Sequence, residues 1–232
     1  MSFVFAPAPP VGIPIVGSEQ MYPVRRVYCV GRNYAAHARE MGFDPVREPP
    51  FFFCKPADAV VPVKAMQELV LGYPAETANY HHEIELVAAI GAPACRIPID
   101  RALDCVFGYA VGLDMTRRDL QIKMREAGRP WEIGKAFDRS APIGPLYPAP
   151  LVKNLGDATI WLQVNRADRQ RSEIASLIWS VAEVIAELSR FFDLQPGDLI
   201  YTGTPEGVGP VIKGDLMTGG IDGLGEINVR VA

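Results

Sequence analysis

Prolines and glycines, 21 of each among 232 residues, cut this chain into short apolar runs and so limit what it can become. Proline removes a backbone donor and interrupts helices and central strands, and glycine weakens both, so long helices and evenly spaced strand–helix–strand repeats are disfavoured. The punctuation predicts a mixed β fold with few helices and irregular crossings. Strand-forming runs lie at residues 26–30, 51–54, 84–90, 106–113, 159–164, 199–202 and 226–231. Helices are expected at 34–41, closed by Gly42, at about 117–126, closed by Gly128, and at 176–192, where apolar residues recur at helical spacing.

Size and charge narrow the class. A chain of this length sits near the point where one core becomes two, and a single domain is expected. A hydrophobic fraction of 49 % with 22 % charged residues is that of an ordinary soluble globule. The net charge is only -4 and Lys and Arg are scattered, so no electrostatic footprint points to nucleic acid or to an anionic membrane. The N-terminal MSFVFAPAPPVGIPIVG lacks a basic leader and is broken by prolines. No apolar run approaches the roughly 18 residues of a membrane span. Cys29, Cys54, Cys95 and Cys105 form neither a CxxC pair nor a compact disulfide framework. A reducing, cytoplasmic setting is expected.

The stretch YHHEIELVAAIG carries chemistry inside an apolar strand. Side chains alternate faces along a strand, so Glu83 and Glu85 project to one side. Two carboxylates that close are either the solvated end of an edge strand or ligands. A second apolar run, VFGYAVGL, ends at Asp114. If the two strands are neighbours, three carboxylates converge, and oxygen-only ligation without Cys or His at zinc spacing suits a hard cation such as Mg²⁺ or Mn²⁺.

Two further stretches stand out. In GRNYAAHAREMG, His37 and Glu40 are three apart on an expected helix and can touch, either as a weak surface pair or as a carboxylate-oriented imidazole able to activate water. In DLIYTGTPEGVGP the glycines follow a strand, but there is no Gly-Lys-Ser/Thr and no GxGxxG opening a helix, which excludes a nucleotide loop. What remains is a structural turn, or a backbone cradle for a small carboxylate or oxyanion to which Thr204 adds a hydroxyl.

In their order and separations, GRNYAAHAREMG, FFFCKPADAVV, HHEIEL, GYAVGLDMTRRDLQ, GKAFDRSAPIGP and TGTPEGVGP resemble the fumarylacetoacetate hydrolase superfamily, over about 25–232. Within it the chain is most similar to the short fumarylpyruvate hydrolases of bacterial gentisate degradation and to acylpyruvases. The resemblance implies one catalytic domain over 25–232 behind an N-terminal extension over 1–24, with a mixed α+β architecture of the β-roll type. A homodimer acting on a small 2-oxo acid is implied as well. It implies a divalent cation, Mg²⁺ or Mn²⁺, held by Glu83, Glu85 and Asp114. It also implies that His37 and Glu40 activate water from a lid segment, and that Lys135 and Gln121 contact the substrate's oxygens. Gly203 and Thr204 would receive its carboxylate, and Arg32 and Arg118 are further substrate-binding candidates. The expected activity is hydrolysis of the carbon–carbon bond of an acylpyruvate, most of all fumarylpyruvate. Acetylpyruvate cleavage, oxaloacetate decarboxylation and 2-oxo acid isomerisation or hydration are the alternatives on one scaffold.

Overall fold

A computed structural model describes residues 2–42 and 48–232 of the protein. Its frame is an eight-stranded mixed sheet. The order is Phe51–Lys55, Arg26–Gly31, Asp198–Tyr201, Ile84–Ile90, Val106–Leu113, Ala141–Ile143 and Val60–Pro62, with Tyr147–Pro148 also paired to Val106–Leu113. Asp198–Tyr201 runs parallel to Arg26–Gly31, and Ala141–Ile143 parallel to Val60–Pro62; the other pairings are antiparallel. A five-stranded sheet, Ala167–Glu173, Thr159–Val164, Leu216–Ile221, Glu226–Val231 and Glu68–Leu71, packs against one face. This is the mixed β architecture with few helices that the proline and glycine pattern demands. The longest α-helix among the described residues, Arg118–Glu126, has 9 residues. No helix there is long and apolar enough to cross a membrane.

The strand Ile84–Ile90 explains where the cores sit. All seven residues are buried, as expected of a strand covered on both faces, which loses the polar alternation of a half-exposed one. Ile84, Leu86, Ala88 and Ile90 enter the core shared with Ile160, Leu162, Ile227 and Val229 of the five-stranded sheet. Val87 and Ala89 enter a second core with Val27, Cys29, Leu199 and Tyr201. A hairpin of Gly12–Pro14 and Met21–Pro23 packs Ile13 and Tyr22 into that second core. Burying each large aliphatic side chain stabilises the fold by roughly 1.5–3 kcal/mol, so the central strand is held from both sides. By the two-residue period, Glu85 belongs to the second face, at the end where that core stops.

The expected strands form within a residue or two of their predicted limits. Helices form at Ala35–Glu40 and Arg118–Glu126, and Gly42 (φ 81°) and Gly128 (φ 62°) stop them in the left-handed region. The third helix is shorter than its apolar periodicity suggests and spans Val181–Leu188. Ser180 and Glu183 make a capping box that sets its start, while residues before it pair irregularly, Leu177 bridging to Tyr34. Apolar spacing therefore extends past the hydrogen-bonded helix at both ends.

Candidate active site

Ile84–Ile90 and Val106–Leu113 are antiparallel neighbours, with Glu85 opposite Gly112. One step beyond the paired strands the Asp114 N–H donates to the Glu83 carbonyl at 2.8 Å, which sets Asp114 beside the two glutamates. The three carboxylates are buried, and an oxygen from each lies within 4.8 Å of the others. The edge-strand alternative for Glu83 and Glu85 fails because neither is solvated.

Three buried basic side chains surround the cluster. Lys135 Nζ donates to Glu83 Oε2 at 2.7 Å, to Asp114 Oδ2 at 2.6 Å and to Thr116 Oγ1 at 2.7 Å. The Arg118 guanidinium donates to Glu83 Oε1 and to Gln121 Oε1. Lys55 Nζ stands 2.8 Å from Asp114 Oδ1 but directs its hydrogen bonds to the Met115 and Lys135 carbonyls. Burial pushes the Glu83 carboxyl up, yet Lys135 and Arg118 outweigh it and hold Glu83 far below the usual range. Glu85 behaves oppositely. Burial, then the charges of Asp114 and Glu83, push its carboxyl well above the usual range, and a hydrogen bond from Gly203 N–H at 2.8 Å only partly offsets them.

These groups fit a divalent metal. Asp114 Oδ1 is buried and accepts no hydrogen bond, and Glu85 is destabilised as an anion by its neighbours. Three converging carboxylates make an all-oxygen donor set that suits Mg²⁺ or Mn²⁺, whose charge relieves the repulsion on Glu85.

The second half of the site comes from the short helix Ala35–Glu40. His37 is buried, and its Nδ1 lies 3.1 Å from Glu40 Oε2. Burial raises the Glu40 carboxyl, but hydrogen bonds from His37 and from Gly207 N–H dominate and keep it below the usual range. An ionised Glu40 holds the proton on Nδ1 and leaves Nε2 as the basic nitrogen. The loop after Tyr201 joins the two halves: Gly203 N–H is bound to Glu85, and Gly207 N–H to Glu40 Oε1 at 3.0 Å. Both glycines adopt positive φ, 104° and 88°, and a Cβ on Gly207 would lie 1.9 Å from the Arg169 carbonyl oxygen. This turn admits no side chain there.

Of the residues singled out by sequence, His37, Glu83, Glu85, Asp114, Lys135, Arg32, Arg118, Gln121 and Thr204 line one cavity of about 160 Å³. Glu40 stands behind His37, and the Gly203 N–H is occupied by Glu85 rather than turned to the cavity. Phe51, Phe53 and Trp131 form an aromatic wall, with ring centroids 5.4 and 5.8 Å apart. The space admits a small organic acid.

Residues 26–232 match the family model of the fumarylacetoacetate hydrolase C-terminal region. The chain belongs to the fumarylacetoacetate hydrolase family. It is 46 % identical over 184 residues to a fumarylpyruvate hydrolase of Ralstonia sp., covering 79 % of this chain and 93 % of that one. It is 42 % identical over 205 residues to an oxaloacetate tautomerase of Escherichia coli (strain K12), covering 87 % and 90 %. Among solved structures, fumarylpyruvate hydrolase from Pseudomonas aeruginosa, in complex with Mn²⁺ and pyruvate, superposes with a TM-score of 0.98 at 70 % identity, covering 100 % of this chain and 99 % of that one.

This member of the fumarylacetoacetate hydrolase family also uses residues that sequence reasoning passed over. Lys55 lies inside FFFCKPADAVV, so its motif was visible but not its reach to Asp114, 59 positions away. Thr116 tethers Lys135 from the same segment as Asp114. Gln170 is the larger omission. It is the one buried residue of the strand Ala167–Glu173, ADRQRSE, whose polar composition hides its period. Its Oε1 bonds His82 Nδ1 at 2.9 Å and the Ile84 N–H at 3.2 Å, and its Nε2 donates to Thr204 Oγ1 and Pro205 O, each at 2.8 Å. One amide thus anchors the Thr204 loop to the strand that carries the glutamates. Gln170→Leu leaves several buried polar groups unpaired and is expected to lower the unfolding free energy by roughly 2–4 kcal/mol. Urea unfolding measures it; an unchanged midpoint would show that the network contributes nothing.

Proposed function

We propose that this chain is a divalent-metal-dependent hydrolase that converts fumarylpyruvate and water to fumarate and pyruvate. The observation that carries the proposal is the opening of the His37–Glu40 pair onto the cavity that holds the Glu83, Glu85 and Asp114 cluster. The fumarylpyruvate hydrolases among its relatives support the substrate.

Cleaving a 1,3-diketone needs a nucleophile at one carbonyl and an acceptor for the electron pair released at the other. His37 Nε2 takes a proton from water while Glu40 holds the ring and balances its new charge. The hydroxyl adds to the carbonyl carbon of the acyl group. Collapse of the tetrahedral adduct breaks the carbon–carbon bond and leaves the electron pair on the pyruvate fragment as an enolate. Protonation of its terminal carbon yields pyruvate, while the acyl fragment leaves as the acid. Gln121 and Arg118 supply donors around the 2-oxo acid oxygens, and Lys135, whose three N–H donors go to Glu83, Asp114 and Thr116, contributes its positive charge to stabilising the enolate as it forms. One such donor is worth roughly 3–4 kcal/mol, or two to three orders of magnitude in rate. A divalent cation held by Glu83, Glu85 and Asp114 would supply Lewis-acid stabilisation of the same oxygens.

The test is loss of enol absorbance by the full chain with Mg²⁺ or Mn²⁺, on fumarylpyruvate and acetylpyruvate side by side, with products identified. Metal-dependent release of fumarate and pyruvate, abolished by EDTA and faster than acetylpyruvate cleavage, is the expected result. The tautomerase relative, 42 % identical, favours a second reading in which the site only moves protons between the enol and keto forms of oxaloacetate. Rapid metal-dependent oxaloacetate tautomerisation, with neither acylpyruvate cleaved, would replace the hydrolase proposal by that reaction.

A further inference from the structure

Fumarylpyruvate differs from simpler acylpyruvates by a second carboxylate at the far end of its acyl arm. That anion cannot sit among Glu83, Glu85 and Asp114, so the cavity needs a cation at the other end. Four cationic residues line it. Lys135 and Arg118 are buried and are bound to the metal-site carboxylates. Arg32 and Arg125 are half-buried and also line the space.

Arg118, Gln121 and Arg125 follow at three- and four-residue spacing, so all three share the face that lines the cavity. Four residues advance about 6 Å along a helix axis, so Arg125 stands one turn beyond Gln121. A conjugated four-carbon acyl arm extending from a 2-oxo acid held near Gln121 covers that interval. It would lie along the aromatic wall of Phe51, Phe53 and Trp131. The Arg32 guanidinium lies 4.9 Å above the Phe51 ring, where it contributes to that wall. A guanidinium presents two parallel N–H donors to a carboxylate and discriminates strongly between an arm that bears one and an arm that does not.

We infer that Arg125 is the specificity-determining residue that binds the distal carboxylate of the acyl arm. The inference rests on the acylpyruvate hydrolase function proposed above and adds to it the choice among acyl groups. It makes the second half of the helix a ruler: Gln121 meets the end of the substrate common to all acylpyruvates, and Arg125 reads its length and charge.

The experiment compares kcat and KM of the wild-type full chain, Arg125→Gln, Arg125→Lys and Arg32→Gln, each with Mg²⁺, on fumarylpyruvate and acetylpyruvate. Arg125→Gln is expected to lower kcat/KM for fumarylpyruvate by roughly 10- to 100-fold, mostly through KM, as loss of a charge-assisted contact does. Acetylpyruvate, which has no distal carboxylate, is expected to change by less than about 2-fold, and this also reports that fold and metal site survive. Arg125→Lys is expected to recover part of the loss. An equal fall on both substrates would overturn the inference in favour of a helix-positioning role. So would an unchanged Arg125→Gln beside an Arg32→Gln that loses fumarylpyruvate selectively. A wild-type protein that cleaves neither substrate would refute the hydrolase proposal itself and this inference with it.

Discussion

His37→Ala is expected to lower kcat for acylpyruvate hydrolysis by about 10³-fold, equivalent to roughly 4 kcal/mol of transition-state stabilisation, while an oxalate-like inhibitor binds with little change. The separation of these effects follows from the geometry. His37 borders the cavity, and its ring is not bonded to Glu83, Glu85 or Asp114. The ring bonds Glu40. Removing the ring takes away the proposed base and leaves the carboxylate cluster, Lys135 and Arg118 in place. Glu40 keeps its hydrogen bond from Gly207 N–H, so the loop remains tethered. Single-turnover rates together with calorimetric inhibitor binding make the measurement. A variant near the wild-type rate would remove the dyad from the mechanism and move the chemistry to proton transfer by other groups. Loss of inhibitor binding in parallel with rate would show instead that His37 holds the site together.

Glu85→Gln is expected to weaken Mn²⁺ or Mg²⁺ binding by two orders of magnitude or more and to reduce turnover correspondingly. Glutamine matches the shape and can still accept the Gly203 N–H bond, but it is neutral and a poorer ligand for a hard cation. The effect on stability has the opposite sign in the metal-free protein. Burial and the charges of Asp114 and Glu83 disfavour the Glu85 anion, so neutralising it removes repulsion, and the metal-free variant should unfold at the same temperature as the wild type or higher. Metal stabilises the folded wild type by about 2.7 kcal/mol at one hundred times Kd, and at the same metal concentration that increment should fall to about 0.4 kcal/mol or less in the variant. Calorimetric titration and thermal unfolding with and without metal give both quantities. Wild-type metal affinity in Glu85→Gln would exclude Glu85 as a ligand.

Much of the site was legible because its elements are local. The alternation of a strand assigns Glu83 and Glu85 to one face before any partner strand is known. The three-residue spacing of His37 and Glu40 needs only one turn of helix. Gly42 and Gly128 announce where two helices end. Local pattern failed where hydrogen bonds rather than apolar spacing set the boundary, as at the third helix, whose start belongs to Ser180 and Glu183. It failed again in ADRQRSE, where one buried glutamine among exposed polar residues leaves no periodic trace. The four-residue helix Glu132–Lys135 is too short for a pattern, although it carries Lys135.

The sequence by itself determined the irregular mixed β architecture, the carboxylates at strand ends, the His37–Glu40 spacing and a turn that excludes nucleotide chemistry. Each of these depends on residues within a few positions of one another. Only the tertiary structure decided that Asp114 meets Glu83, that Lys55 and Lys135 enter the same cluster, that Gln170 anchors Thr204, and that Glu85 and Glu40 share one glycine loop. Those contacts join segments tens of residues apart. They are set by the register of Ile84–Ile90 against Val106–Leu113 and by the packing of two sheets, in which every interaction depends on the placement of all the others.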